Sequence, residues 1–449
     1  MIVLSGAELV LPDRMLTPGT LVIDGDRIAD IRPGTVSGPV AGSHAPPPLA
    51  LHGHYIVPGF IDAHVHGVDG VDSLDAGEAI ASMAAKLPRY GVTAFCPTTV
   101  ACAPDALRGV LEQVRRARET PAGRAARVLP AHLESNFINP EFRGAQPLRC
   151  LRSARVALGT WRPALAGPAD RGPARTWRPA LAGPPGTSPA AEGPAKAGRH
   201  VQEEGGRHVQ EEEFTAADLL REIERAAPDV GIVTLAPELD GGIDLIRWLS
   251  SRGHHVSLGH SGATYDQALE AIAAGARQAT HLFNRMPPLG HRAPGLAGAI
   301  LQTDEVAAEL ICDGFHVHPA LVRTAIAAKR PSRILAITDG TAASGLPAGA
   351  RASLGGQPIT AGESAAFLDD GTMAGSVLTM DRAFQILVGK IGLSLVDAVA
   401  VCSTTPAREL GLVGHGLIAA DATADLVVLD AQLTVVQTYV GGQLVYSRT

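Results

Sequence analysis

Eight short apolar runs recur between residues 55 and 341, and most are followed by an Ala-rich stretch of helical character. They are 55–66, 92–99, 127–135, 230–238, 255–261, 278–284, 309–317 and 334–341. Helices are expected over 75–89, 103–119, 215–227, 239–252, 265–275 and 319–329. Near-continuous apolar strands separated by helices fit a parallel sheet covered on both faces, and eight such units fit closure as a (β/α)8 barrel. A doubly wound open sheet is the alternative, but no Gly-x-Gly-x-x-Gly turn follows the first run.

The two ends of the chain have a different character. IVLSGAELVL and TLVIDGDRIADI, with Asp24-Gly25-Asp26 at a hairpin tip, open the sequence. ADLVVLDAQ and TVVQTYVGGQLVY, with a Gly441-Gly442 turn, close it. Both read as short strands and tight turns, which predicts a small β-sandwich domain assembled from both termini. The expected organisation is 1–57 and 406–449 for the sandwich and 58–405 for the barrel. The barrel is interrupted once. TWRPALAGP occurs at 160–168 and again at 176–184, and GRHVQEE at 198–204 and again at 206–212. These repeats mark a low-complexity insertion over 150–213, with no catalytic role expected for it, and His200 and His208 within it read as solvated residues rather than ligands.

Composition narrows the function. The net charge is −7 and basic residues form no long run, so nucleic acid is a poor partner. The five cysteines are scattered without a Cys-x-x-Cys pair, which points to a reduced, cytoplasmic protein. Met1 leads straight into a strand-like segment rather than a signal peptide, and no apolar run reaches the length of a membrane span.

In a barrel of this kind, functional side chains belong at the C-terminal ends of the strands. The first run ends in Asp62-Ala63-His64-Val65-His66, where a period of two puts His64 and His66 on one side. The third ends in His132-Leu133-Glu134, the fifth in His260, the sixth in His281, the seventh in His316 and His318, and the eighth in Asp339. One such residue is ordinarily a core histidine or a helix cap. Their recurrence at strand after strand predicts a metal site of imidazole and carboxylate donors, suited to Zn2+, Fe2+, Co2+ or Mn2+. An ion with an open position would make water a nucleophile near neutral pH, with Asp339 as proton acceptor and later donor.

At these residues the sequence resembles the amidohydrolase superfamily. PGFIDAHVHG, HLES, SLGHSGAT and AITDGT carry the resemblance, and ATHLFNRMPP, HRAPGLAGAI and DGFHV make it specific to the N-acetylglucosamine-6-phosphate deacetylases. The resemblance implies that Glu134, His260 and His281 hold the principal ion, Zn2+ first among the candidates. The His64/His66 pair implies a second. It also implies a phosphorylated amino sugar as substrate, bound by Gln146, Asn284, Arg285, Arg292 and His316. Arg292 would reach in from a neighbouring subunit of a homodimer. The lysine-bridged branches of the superfamily fit less well, because none of the four lysines ends a strand. Glu134 is then the bridging candidate. Two departures stand out: Ser135-Asn136 replaces a common Gly-Pro, and Gln146 replaces a His that polarises the acetyl carbonyl in several members. The alternatives are a deacetylase of N-acetylgalactosamine 6-phosphate and a catalytically silent amidohydrolase-like scaffold.

Overall fold

The computed structural model describes residues 1–36, 47–155 and 214–448. The repeat segment from 156 to 213, with His200 and His208, lies outside the described residues. Seven of the eight apolar runs contain a strand of one parallel barrel and the seventh in order overlaps one: Phe60–Val65, Val92–Thr99, Ala131–Glu134, Val230–Leu235, His255–Leu258, Gln278–Ala279, Ala307–Ile311 and Ile334–Ile337. Each pairs in parallel with the next. Every residue of the first two strands is buried, as a sheet covered on both faces requires.

The first and eighth strands close the barrel through residues of the expected site. Val65 and Gly340 form a parallel bridge, and the Asp339 N–H donates to the His64 carbonyl at 2.9 Å. Below them, Thr338 Oγ1 donates to Asp62 at 2.6 Å. Burial pushes the Asp62 carboxyl up to about 6 against these bonds.

The strands are shorter than the apolar runs, and backbone geometry explains why. His260, His281 and Asp339, just beyond their strands, have φ of +47°, +30° and +49°. A left-handed residue ends the ladder and turns its own side chain across the barrel mouth. Such conformations are costly for residues with a Cβ and concentrate where function requires them.

The six expected helices are present with ends shifted by a few residues. Several elements escaped the sequence reading, two of them directly after the sixth and eighth strands. A helix at Gly295–Gln302 follows the sixth strand, in a segment with few polar residues to mark its ends. A four-stranded antiparallel sheet, Arg351–Leu354, Gln357–Ala361, Ala365–Leu368 and Met373–Ser376, follows the eighth strand and leans on it through a Gly340–Ser376 bridge.

The terminal strands join into one hydrogen-bonded sheet. Ile2–Val10 pairs with Met15–Asp24 and Tyr55–Pro58, and Tyr55–Pro58 pairs with Leu426–Leu429, the first strand of the C-terminal group. It has its own core, which includes Leu4, Leu9, Leu21, Ile56, Leu426 and Val428. The chain passes from this sheet to the barrel at Gly59, where a Cβ would meet the Thr93 side chain at 2.1 Å.

Asp425 fastens this junction. Its carboxylate accepts from Arg127 Nε and Nη2, both at 3.1 Å, from His415 Nδ1 at 2.9 Å and from the Gly441 N–H at 2.7 Å. Burial opposes its ionisation, but His415 and Arg127 hold it below the ordinary value. The resulting stabilisation is present above the unfolded value of about 3.9 and fades as pH falls through the depressed folded one. Asp425→Asn is expected to cost about 2–4 kcal/mol at neutral pH in a urea titration, somewhat below a fully buried pair. The reduction reflects Arg127, whose side chain is 38% exposed.

The edges of the repeat insertion also meet. Arg152 Nε donates to the Phe214 carbonyl at 2.9 Å, and the guanidinium lies 3.8 Å from the Phe214 ring centroid.

Candidate metal centre and substrate cavity

At the C-terminal mouth of the barrel the predicted ligands converge. Glu134 Oε1 lies 2.8 Å from His260 Nε2 and 2.9 Å from His281 Nε2, and those two nitrogens are 3.0 Å apart. A second group stands beside the first. His64 Nε2 and His66 Nε2 are 3.2 Å apart, and each is 3.3 Å from Asp339 Oδ1. Glu134 also approaches this pair, with Oε2 at 3.6 Å from His66 Nε2 and Oε1 at 3.8 Å from His64 Nε2. All these side chains are buried or nearly so.

The donor chemistry fits divalent ions. Two neutral imidazoles that face each other through Nε2 at about 3 Å have only repulsive lone pairs or one shared proton between them, unless a cation lies there. The outer nitrogens show which tautomer is present: His260 Nδ1 faces the Phe142 carbonyl at 2.9 Å, and His64 Nδ1 faces Glu309 at 3.0 Å. A nitrogen facing a pure acceptor carries the hydrogen, which frees Nε2 as a ligand. Burial opposes ionisation of Glu134, yet His260 and His281 hold its carboxyl well below the usual range. Burial likewise opposes ionisation of Asp339, and contacts with His64 and His66 reverse it. Both carboxylates are therefore anionic at neutral pH.

A cavity of about 300 Å3 opens over the cluster. Glu134, His66, His260, His281 and Asp339 form its floor, and Asn284, Arg285 and His316 stand on one side. Leu354, Met373 and Gly375 come from the antiparallel sheet that sequence reasoning did not anticipate. The Gly355-Gly356 turn, with φ of +56° and +79°, was the signal that could have revealed its first hairpin.

The remaining candidates separate clearly. His316 Nδ1 is fixed by Asp313 at 2.6 Å, which leaves Nε2 for the cavity. Arg285 donates to the Met373 carbonyl at 3.3 Å and passes so close to Gly144 that a Cβ there would lie 2.6 Å from its Nε. Arg292 is exposed and does not line the cavity of its own chain. His318 takes the bland role: it caps the helix Pro319–Lys329 by accepting from the Ala320 N–H.

Gln146 lines the cavity, but its amide is engaged with protein atoms. Oε1 accepts from the Ala101 N–H at 2.7 Å and Nε2 donates to Glu134 Oε2. The other departure, Ser135-Asn136, forms clasps. Ser135 Oγ donates to the Thr234 carbonyl, and Asn136 Nδ2 donates to the carbonyls of Cys102 and Cys150 at 2.8 and 2.7 Å. Asn136 ties together the loops after the second and third strands, and Ser135 ties the end of the third strand to the fourth.

An imidazole and carboxylate cluster of this kind at the mouth of a (β/α)8 barrel defines a metal-dependent hydrolase class. The amidohydrolase family model matches residues 55–445. An N-acetylglucosamine-6-phosphate deacetylase of Danio rerio is 35% identical over 405 residues, covering 88% of this chain and 85% of the relative. The Homo sapiens enzyme of the same name is 32% identical over 462 residues, covering 99% and 94%. Among solved structures, a variant of the Mycobacterium smegmatis deacetylase, in complex with N-acetyl-D-glucosamine-6-phosphate, superposes with a TM-score of 0.78 at 28% identity, covering 99% of both chains. The Thermotoga maritima deacetylase superposes with 0.73 at 26% identity over the full length of both. The chain belongs to the amidohydrolase family and, within it, to the N-acetylglucosamine-6-phosphate deacetylases.

Proposed function

We propose that this chain hydrolyses the acetamide of N-acetyl-D-glucosamine 6-phosphate to give D-glucosamine 6-phosphate and acetate. The observation that carries the reading is Glu134, whose carboxylate stands between two imidazole pairs, with Asp339 at the second pair. Glu134, His260 and His281 would hold one divalent ion, and His64, His66 and Glu134 a second. Zn2+ is the first choice for a nitrogen and oxygen donor set, with Fe2+, Co2+ and Mn2+ as alternatives. A bound ion polarises the acyl oxygen and acidifies the attacking water.

The protein's own groups do the rest. Asp339 accepts the proton of the attacking water and passes it to the departing nitrogen, so that the amine leaves neutral. Its position is fixed from both sides, since its N–H donates to the His64 carbonyl and its carbonyl accepts from the Ser376 N–H at 2.9 Å. Arg285, Asn284 and His316 receive the phosphorylated sugar, and the apolar side chains of Leu354 and Met373 exclude water from the cavity they line. Gln146 acts by holding Glu134 rather than by polarising the acetyl carbonyl. In the homodimer of this reading, the exposed Arg292 reaches the phosphate of the neighbouring copy. A cytoplasmic location and catabolism or cell-wall recycling of amino sugars belong to the same reading.

The phosphate contacts set the test. Two charge-assisted hydrogen bonds of roughly 1.5 kcal/mol each predict a kcat/KM about 10²-fold higher for the 6-phosphate than for N-acetylglucosamine. Acetate release measured on both sugars, with N-acetylgalactosamine 6-phosphate as a third arm, checks this. Equal rates with and without phosphate would overturn the substrate class, and preference for the galacto sugar would change its epimer.

A further inference from the structure

Beneath the cluster lies a carboxylate that the deacetylation scheme leaves unused. Glu309, on the seventh barrel strand, has no solvent exposure. Its Oε2 accepts from His64 Nδ1 at 3.0 Å and from the His281 backbone N–H at 3.2 Å, and its Oε1 accepts from Gln278 Nε2 at 2.5 Å. His132 Nδ1 lies 3.7 Å away, with its own bond to the Ala63 carbonyl. None of these partners carries a permanent positive charge. A fully buried carboxylate with no Lys or Arg against it is unfavourable unless cationic charge lies close by. The His64 ring is the link to such charge, with Glu309 at one nitrogen and the ligand cluster at the other.

We propose that Glu309 is the positioning residue of the second ion site: it keeps the hydrogen of His64 on Nδ1 and so presents Nε2 as a ligand beside His66, Glu134 and Asp339. The chemistry is that of an outer carboxylate on a ligating histidine, which sets ring orientation and tautomer together. The two sites differ in this respect. His260 has only the Phe142 carbonyl as its outer partner, and His281 Nδ1 has none among the described residues. The second site alone is therefore backed by a buried negative charge. This inference rests on the two-ion reading above.

The test uses full-length protein, stripped of metal and titrated with Zn2+ or Mn2+, as wild type, Glu309→Leu and Glu309→Gln. Wild type is expected to bind two ions, and its metal-free form to carry a hydrogen on His64 Nδ1 in 15N shifts. Glu309→Leu should weaken the second ion about 10–100-fold and the first by at least tenfold less. Glu309→Gln should recover most of the loss, because Gln278 Oε1 has no partner among the described residues and can turn to receive the new amide. Equal weakening of both ions would reduce Glu309 to a structural role and overturn the proposal. So would an unchanged second ion in Glu309→Leu, or an Nε2–H tautomer in the wild type, which needs no variant to fold. If wild type binds a single ion, the two-ion reading fails instead, and the His64 tautomer still decides whether Glu309 orients that ring.

Discussion

Asp339→Asn is expected to retain fold and ion content while kcat falls by at least about 10³-fold, within the range for loss of a general acid–base group. The substitution is nearly isosteric, and Asn is among the residues that best tolerate the left-handed backbone at this position, where φ is +49°. The Asp339 N–H and carbonyl keep their bonds to His64 and Ser376, so barrel closure survives. An amide cannot take the proton of the attacking water or return it to the amine. Kinetics on the 6-phosphate, with thermal midpoint and ion content measured on the same preparation, separate chemistry from folding. A variant with near-normal kcat would remove Asp339 from the proton path.

Glu134→Ala is expected to have an equally large effect by a different route. Glu134 Oε1 serves His260 and His281, while Oε2 faces His66, so one truncation removes a donor from both groups. Ion content should fall from about two per chain towards zero on dialysis. Acetate release should fall by more than about 10³-fold, matching the several kcal/mol that a bound ion supplies. A chelator should silence the wild type in the same way, and added Zn2+ or Mn2+ should restore it but not rescue the variant. Retention of both ions in Glu134→Ala would contradict the bridging role.

Strand-end chemistry was the legible part of this site. His64, His66, Glu134, His260, His281 and Asp339 follow apolar runs in sequence, and parallel pairing carries each to the same end of the barrel. The order of strands needed no long-range information, because each strand pairs with the next. What sequence could not supply was the direction of individual side chains. Gln146 lies in a loop after the third strand, and only its bonds to Ala101 and Glu134 show that it braces the Glu134 carboxylate. His318 follows His316 by the strand period, yet the helix that begins at Pro319 takes it as a cap. Glu309 reads as one polar residue in an apolar strand, and its partners come from two other strands. The cavity wall around Leu354 and Met373 was missed because the segment after the eighth strand was read without its hairpins.

The central claim is that this chain cleaves an N-acetyl amide on a 6-phosphorylated amino sugar at a metal-dependent centre. Purified, Zn2+-loaded protein incubated with N-acetyl-D-glucosamine 6-phosphate should yield acetate and D-glucosamine 6-phosphate in equal amounts, and Asp339→Asn should yield neither at a comparable rate. An ion-replete, folded protein that releases no acetate from this sugar or its galacto epimer would contradict the account.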